Sequence, residues 1–176
     1  MKTTLIYVST LNAKITKGND PNVSNWTSKE DQKYFKEIQE RSEVIVRSSV
    51  TYEIAKPRLK LRKGQLIIVL TRDPSKYTND TIKGQLEFTN ESPKKLISRL
   101  KNNGIKNILL SIGGKLATVF LKDKLVDQFI ITFEPKIFGS GISFIVESNL
   151  DLNLKLVDHK ILNETGTILL TYSVQS

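Results

Sequence analysis

Apolar residues in this chain fall into short dense runs separated by polar stretches rich in Gly, Asn, Asp and Pro. KTTLIYVST (2–10) is β-rich with an apolar middle and predicts a buried strand. Residues 12–26 are polar, with Gly18, Asn19, Asp20 and Pro21, and predict a long loop of the kind that often carries function. TSKEDQKYFKEIQER (27–41) predicts a helix, with a Thr27/Glu30 capping box and an apolar face of Tyr34, Phe35 and Ile38. SEVIVRSS (42–49) predicts a short strand and turn, QLIIVLTR (65–72) a strand closed by Asp73-Pro74, and LEFT (86–89) another strand. SPKKLISRLKNNG (92–104) has Ser92 as N-cap, Pro93 at the first helical position and Gly104 as the stop, with Leu96, Ile97 and Leu100 inward. NILLSI (107–112) predicts a strand, GKLATVFLKD (114–123) a short helix, and LVDQFIITFEP (125–135) a strand. LNLKLVDHKIL (152–162) and TGTILLTYSV (165–174), joined through Asn163, Glu164 and Gly166, predict an antiparallel hairpin.

This order predicts an α/β fold with a central, mainly parallel sheet flanked by helices, and a C-terminal hairpin at one edge. Residues 1–176 are expected to form a single domain. Ligands of such sheets bind at the carboxyl ends of the strands. The 12–26 loop, the 47–58 turn, the 72–80 loop and Gly113-Gly114 all follow strands and are expected to converge there. The glycine pair has two readings. It is a tight strand-to-helix turn, or it lets an anion approach the free amides of a helix start.

Composition narrows the chemistry. There is no cysteine and one histidine, His159. That excludes disulfides, a thiol nucleophile and a Cys/His zinc site, and no metal is expected. A Ser-His-Asp arrangement would have only His159 to use, and His159 falls in the hairpin, where a surface or packing role is expected. No apolar run approaches the roughly 18 residues needed to span a bilayer. MKTTLIYVST is too short and polar for a signal peptide, so the cytoplasm is the expected compartment. The net charge is +9. It reads either as a solvated lysine-rich surface or as attraction for an anionic small molecule. Nucleic acid is disfavoured, because the densest basic patch, KPRLKLRKG (56–64), contains no aromatic residue.

LLSIGGKLATVFLKDKLVDQFIITFEPKIFGSG resembles the dihydrofolate reductase superfamily, especially its riboflavin-pathway reductase branch. The matching elements are Gly113-Gly114, Leu125-Val126-Asp127, Pro135 and Gly139-Ser140-Gly141. TLNAKIT (10–16), WTSKED (26–31), DQKYFK (31–36), VRSSVTYE (46–53) and VLTR (69–72) extend the likeness over nearly the whole chain. The resemblance implies a dihydrofolate-reductase-like fold and NADPH as cofactor. It implies a small pterin or pyrimidine substrate, no membrane, and a monomer or homodimer. Dihydrofolate, reduced to tetrahydrofolate, is the first expectation. The alternatives are the riboflavin-pathway 5-amino-6-(5-phosphoribosylamino)uracil and a non-catalytic nucleotide- or nucleic-acid-binding domain.

The resemblance also implies roles. Gly113, Gly114, Lys115 and Leu116 would pass the cofactor pyrophosphate, with Thr71 and Arg72 on the 2′-phosphate, Ile15 and Thr16 at the nicotinamide from a mobile loop, and Thr51 nearby. Val8, Trp26, Asp31, Phe35 and Arg58 would meet the substrate. Asp31 would be the catalytic acid. It precedes Phe35 by one turn on a face that also carries Ile38, so its carboxyl is expected to be desolvated with a raised pKa. The bland reading makes Asp31 a solvated partner of the helix dipole. Trp26 either walls the pocket or staples the helix start. The family's D-G is Asn12-Ala13 here, its glycine after the second strand is replaced around Arg47-Ser48, its D-N-P is Ala55-Lys56-Pro57, and an acid common before the glycine pair is Ile112. The arginine that dihydrofolate reductases use for the glutamate tail falls near Gln65.

Overall fold

A computed structural model describes residues 1–175. The strands are β1 (Lys2–Thr10), β2 (Val44–Ser48), β3 (Leu66–Leu70), β4 (Leu86–Thr89), β5 (Asn107–Ser111), β6 (Gln128–Glu134), β7 (Leu154–Ile161) and β8 (Ile168–Val174). The α-helices are α1 (Lys29–Glu40), α2 (Ser49–Ala55), α3 (Pro93–Asn102) and α4 (Gly114–Lys122). All eight strands form one sheet, in the order β4-β3-β2-β5-β1-β6-β8-β7. The first six pair in parallel. The β7–β8 hairpin joins β6 antiparallel at the edge, as the sequence pattern predicts.

Strands covered on both faces need apolar residues at every position, which is why LIIVL and NILLS read as continuous runs. One face, carrying Leu5, Tyr7, Val46 and Ile131, packs on Leu96 and Leu100 of α3 and on Ala117, Phe120 and Leu121 of α4. The other, carrying Ile6, Ile45, Val69 and Ile130, packs on Tyr34, Phe35 and Ile38 of α1 and on Tyr52 of α2. Burying a side chain such as Phe120, fully shielded here, contributes about 1.5–3 kcal/mol. Parallel pairing sends the carboxyl ends of β1, β2, β3, β5 and β6 to one rim, where the connecting loops gather. Among the described residues no helix is long and apolar enough to cross a membrane.

Four elements differ from the sequence pattern. Helix α1 is capped by Ser28, whose hydroxyl accepts from the Asp31 amide at 3.2 Å. Thr27 accepts instead from the Gln32 side chain. The 47–58 segment is helical over Ser49–Ala55, capped by Ser48. Its β-branched Val50, Thr51 and Ile54 are poor helix formers. Burial of Tyr52 against Phe88 and Tyr77, with ring centroids 5.0 and 5.7 Å away, outweighs that preference. The 72–80 loop contains a 3-10 segment over Pro74–Asp80. Strand β6 begins at Gln128, because Asp127 turns its carboxylate onto the Thr3 amide at 2.7 Å.

Candidate active site

Strand alternation places Val8 and Thr10 of β1 and Thr132 and Glu134 of β6 on the face covered by α1, with Val8 opposite Thr132 and Thr10 opposite Glu134. The first turn of α1 lays Asp31 over this patch. Asp31 is 6% exposed, the one fully buried residue of its helix. Its carboxyl pKa is pushed up to about 6. Burial is the main cause, the Thr132 hydroxyl opposes it, and the charge of Glu134 adds to it. The Thr132 hydroxyl lacks a hydrogen bond of good geometry. The desolvated-acid expectation therefore describes the environment of Asp31, and the solvated-dipole reading does not. Phe35, one turn on, is half-buried on the same face, and Val8 is half-buried beneath.

The loop after β1 is sewn to the segment after β6. Leu11, Ile15 and Gly18 amides donate to the carbonyls of Lys136, Ile142 and Ser140 at 2.9, 2.8 and 3.1 Å. Asn12 pairs with Phe138 in both directions, its amide donating to the carbonyl at 2.7 Å and its carbonyl accepting from the backbone at 3.2 Å. The Thr16 hydroxyl accepts from the Ile142 amide at 2.8 Å. Gly141 admits this approach. Its φ is +148, and a Cβ there would lie 2.2 Å from the Thr16 carbonyl. Ile15 and Thr16, expected on a mobile loop, are thus tied down, with Thr16 buried. Ala13 takes φ 64, a conformation that the family's glycine at this position would adopt without strain. Trp26 is buried edge-on against Phe138, ring centroids 5.2 Å apart, and so staples the start of α1 to the same segment.

The two glycines after β5 differ in surroundings. A Cβ on Gly114 would meet the Ser143 and Phe144 carbonyls at 2.7 and 3.0 Å, while a Cβ on Gly113 would meet nothing within 4 Å. Gly114 therefore makes room for the chain itself, and Gly113 leaves the start of α4 open. Gly113 caps α4 without a side chain, so the first amides keep their donors free for an anion. Lys115 is exposed beside them, and Leu116 is half-buried with its amide on the Gly113 carbonyl at 3.1 Å. Across the rim, the Thr71 amide bonds to Thr89 at 3.0 Å, and Arg72 is exposed with no acidic partner among the described residues. The Thr51 hydroxyl lies 2.9 Å from that of Ser48, the cap of α2, and the Thr51 amide donates to the same hydroxyl at 3.2 Å. An open glycine at a helix start, with an uncommitted guanidinium beyond the neighbouring strands, fits the diphosphate and 2′-phosphate of NADPH.

Arg58 ends the 3-10 turn after α2 and reaches Asn22 of the 12–26 loop at 3.4 Å. Its neighbours Lys56 and Arg62 are committed to Asp80 and Glu40. Gln65 lies at the opposite, amino end of β3, buried, with its amide on the carbonyls of Gln39 and Ser42 at 2.7 Å each. His159 is exposed on β7. Sequence reasoning missed Thr10, Thr132, Glu134 and Arg47. The first three follow from period-two alternation once β1 and β6 are adjacent. Arg47 is buried under α1 with one bond, to Gln39 at 2.7 Å, and burial lowers its pKa to about 10.

The chain is 33% identical over 88 residues to the protein YwjB of Bacillus subtilis (strain 168), covering 50% of this chain and 48% of that protein. It spans about half the length of the curated relatives it matches. A diaminohydroxyphosphoribosylaminopyrimidine deaminase/5-amino-6-(5-phosphoribosylamino)uracil reductase of Thermotoga maritima superposes with TM-score 0.76 at 17% identity, over 99% of this chain and 56% of that one. Dihydrofolate reductase of Enterococcus faecalis, complexed with NADP(H), superposes with TM-score 0.69 at 18% identity, over 99% and 97%. At these identities the likeness is one of fold, and it bears out the expected dihydrofolate-reductase-like architecture. Within that superfamily the riboflavin-type branch, given by the sequence as the alternative, has more support than dihydrofolate. Residues 2–167 match its defining pattern, and the chain belongs to the RibD C-terminal domain family.

Proposed function

We propose that this chain acts as one reductase domain that transfers a hydride from NADPH to a phosphoribosylaminopyrimidine of riboflavin biosynthesis. The observation that carries the reading is the buried Asp31 carboxyl at the carboxyl ends of β1 and β6, in a chain of the RibD C-terminal domain family. Bound NADPH supplies the hydride. The open start of α4 at Gly113 receives its diphosphate, and Thr71 and Arg72 receive the 2′-phosphate. In the substrate's open C=N form the hydride goes to the sugar carbon, the π pair moves to the adjoining nitrogen, and that nitrogen takes one proton. Asp31, which holds its proton up to a pH of about 6, hydrogen-bonds the pyrimidine and hands that proton on. Phe35 stacks on the ring. Ile15 and Thr16, held by the 136–142 segment, keep water from the nicotinamide.

Arg58 favours this substrate over dihydrofolate. It has no acidic partner among the described residues and stands by the 12–26 loop, ready for a phosphate. The position where dihydrofolate reductases place their tail-binding arginine is Gln65, buried away from the rim. NADPH oxidation, followed by absorbance with 5-amino-6-(5-phosphoribosylamino)uracil or dihydrofolate, tests the reading. Turnover is expected with the pyrimidine. Asp31→Asn is expected to lower it by about 100-fold or more with NADPH affinity unchanged. Turnover with dihydrofolate alone establishes the second reading, and turnover with neither overturns the reductase assignment.

A further inference from the structure

Glu134 is the last residue of β6 and is 2% exposed. A carboxylate so deep is costly unless it is paired or fully hydrogen-bonded. No lysine, arginine or histidine pairs with it among the described residues. Two neutral donors hold it. Oε1 accepts from the Ser28 amide at 2.7 Å, and Oε2 from the Thr167 hydroxyl, itself fully buried, at 2.9 Å. Ser28 is the N-cap of α1, and its hydroxyl accepts from the Asp31 amide at 3.2 Å. Glu134, Ser28 and Asp31 therefore form one connected chain from the end of β6 to the proposed acid.

The surroundings of Asp31 leave Glu134 as its charged neighbour from the sheet. Val8 and Thr10 of β1, Thr132 of β6, and Thr167 and Leu169 at β8 carry no charge. The residue that precedes the cap region, Trp26, carries none. On α1 itself Lys29 and Glu30 are exposed, and Glu30 is engaged by the Asn163 side chain at 3.2 Å. Two carboxyls in one dry patch do not both ionise readily.

We infer that Glu134 is a positioning residue for Asp31: it fixes Ser28 at the start of α1 and so holds the Asp31 carboxyl in the dry patch that the two acids share. The inference rests on the reading of Asp31 as the reductase acid. It is tested in the full chain without substrate, so that the two fail separately. Carboxyl carbon resonances are followed by NMR through pH 3–9, with Asp31→Asn identifying the Asp31 signal. The wild-type midpoint is expected near 6. Glu134→Gln keeps an oxygen for the Ser28 amide and removes the charge, so the Asp31 midpoint should fall by about one unit. Glu134→Asp keeps the charge and shortens the reach, so the midpoint should stay raised while the Ser28 and Asp31 amides lose exchange protection. The acid limb of the pH–rate profile should move with the Glu134→Gln midpoint. An unmoved midpoint in Glu134→Gln overturns the inference, as does a midpoint that falls equally in Glu134→Asp. If Glu134→Gln does not fold, amide exchange in Glu134→Asp decides alone, and undiminished protection at Ser28 and Asp31 overturns the inference. Absence of turnover in the wild type sinks the reductase reading and leaves the titration result standing.

Discussion

Arg72 stands two residues beyond the end of β3, exposed, while other basic side chains of this region are spent on local acids, Lys56 on Asp80 and Arg62 on Glu40. A guanidinium left uncommitted at a strand end can bind a phosphate in bidentate fashion. If it holds the 2′-phosphate, Arg72→Ala should weaken NADPH by about tenfold to a hundredfold, the worth of a charged hydrogen bond, and leave NADH unchanged. Calorimetric titration with both nucleotides decides, because equal losses would make Arg72 a general contributor to surface charge. At this scale the sequence was legible where a residue's own helix or strand fixes its neighbours. The Asp31–Phe35 spacing is local, and the desolvation it predicts is present. It was illegible where the neighbour comes from a distant strand. Glu134 meets Ser28 across 106 residues and Thr167 across 33, and no period in the sequence announces either contact.

The elements around Gly113-Gly114 divide one motif between two roles. Gly114 is pressed by carbonyls from 143–144, and Gly113 opens outward. Gly114→Ala must push backbone aside, so it should lower the melting temperature by several degrees, with a cost of about 1–3 kcal/mol for overpacking. Gly113 has an ordinary φ of −76, so Gly113→Ala should leave the stability within about 0.5 kcal/mol of wild type and still weaken NADPH. Thermal unfolding with and without NADPH separates the two. A Gly113→Ala protein that binds NADPH normally would reduce the pair to a turn. The strand–glycine–helix order was readable, since a parallel strand, its turn and its helix are contiguous. The packing of 143–144 onto Gly114 was not, because it depends on a segment about 30 residues away folding back over α4. Helix α2 was hidden for a related reason: its β-branched residues disfavour a helix, and the Tyr52 contacts with Tyr77 and Phe88, with the Ser48 cap, outweigh that.

For the molecule as a whole, most shifted carboxyls pull stability one way and Asp31 pulls it the other. Asp20, Glu30, Glu40, Asp73, Asp80 and Glu91 are all held below their ordinary values by hydrogen bonds, from Asn22, Asn163, Arg62, Ser75, Lys56 and Arg99 respectively. Each contributes stability that is present above its unfolded value and lost as pH falls through its folded one. The +9 charge grows as these groups protonate and adds self-repulsion. Asp31 is raised from 3.8 to about 6, so the folded state binds the extra proton between those values. Its contribution is complete below the unfolded value and disappears as pH rises through the folded one. About two units correspond to about 3 kcal/mol. Urea unfolding of wild type and Asp31→Asn at a series of pH values should therefore give curves that nearly coincide at pH 4. By pH 7 they should separate, with the variant more stable by up to about 3 kcal/mol at an unchanged m-value. A difference that stays constant with pH would mean that Asp31 is ionised and solvated in the folded state. A gain in stability at neutral pH, bought by the same substitution that removes turnover, is what a site held against its own folding preference should give.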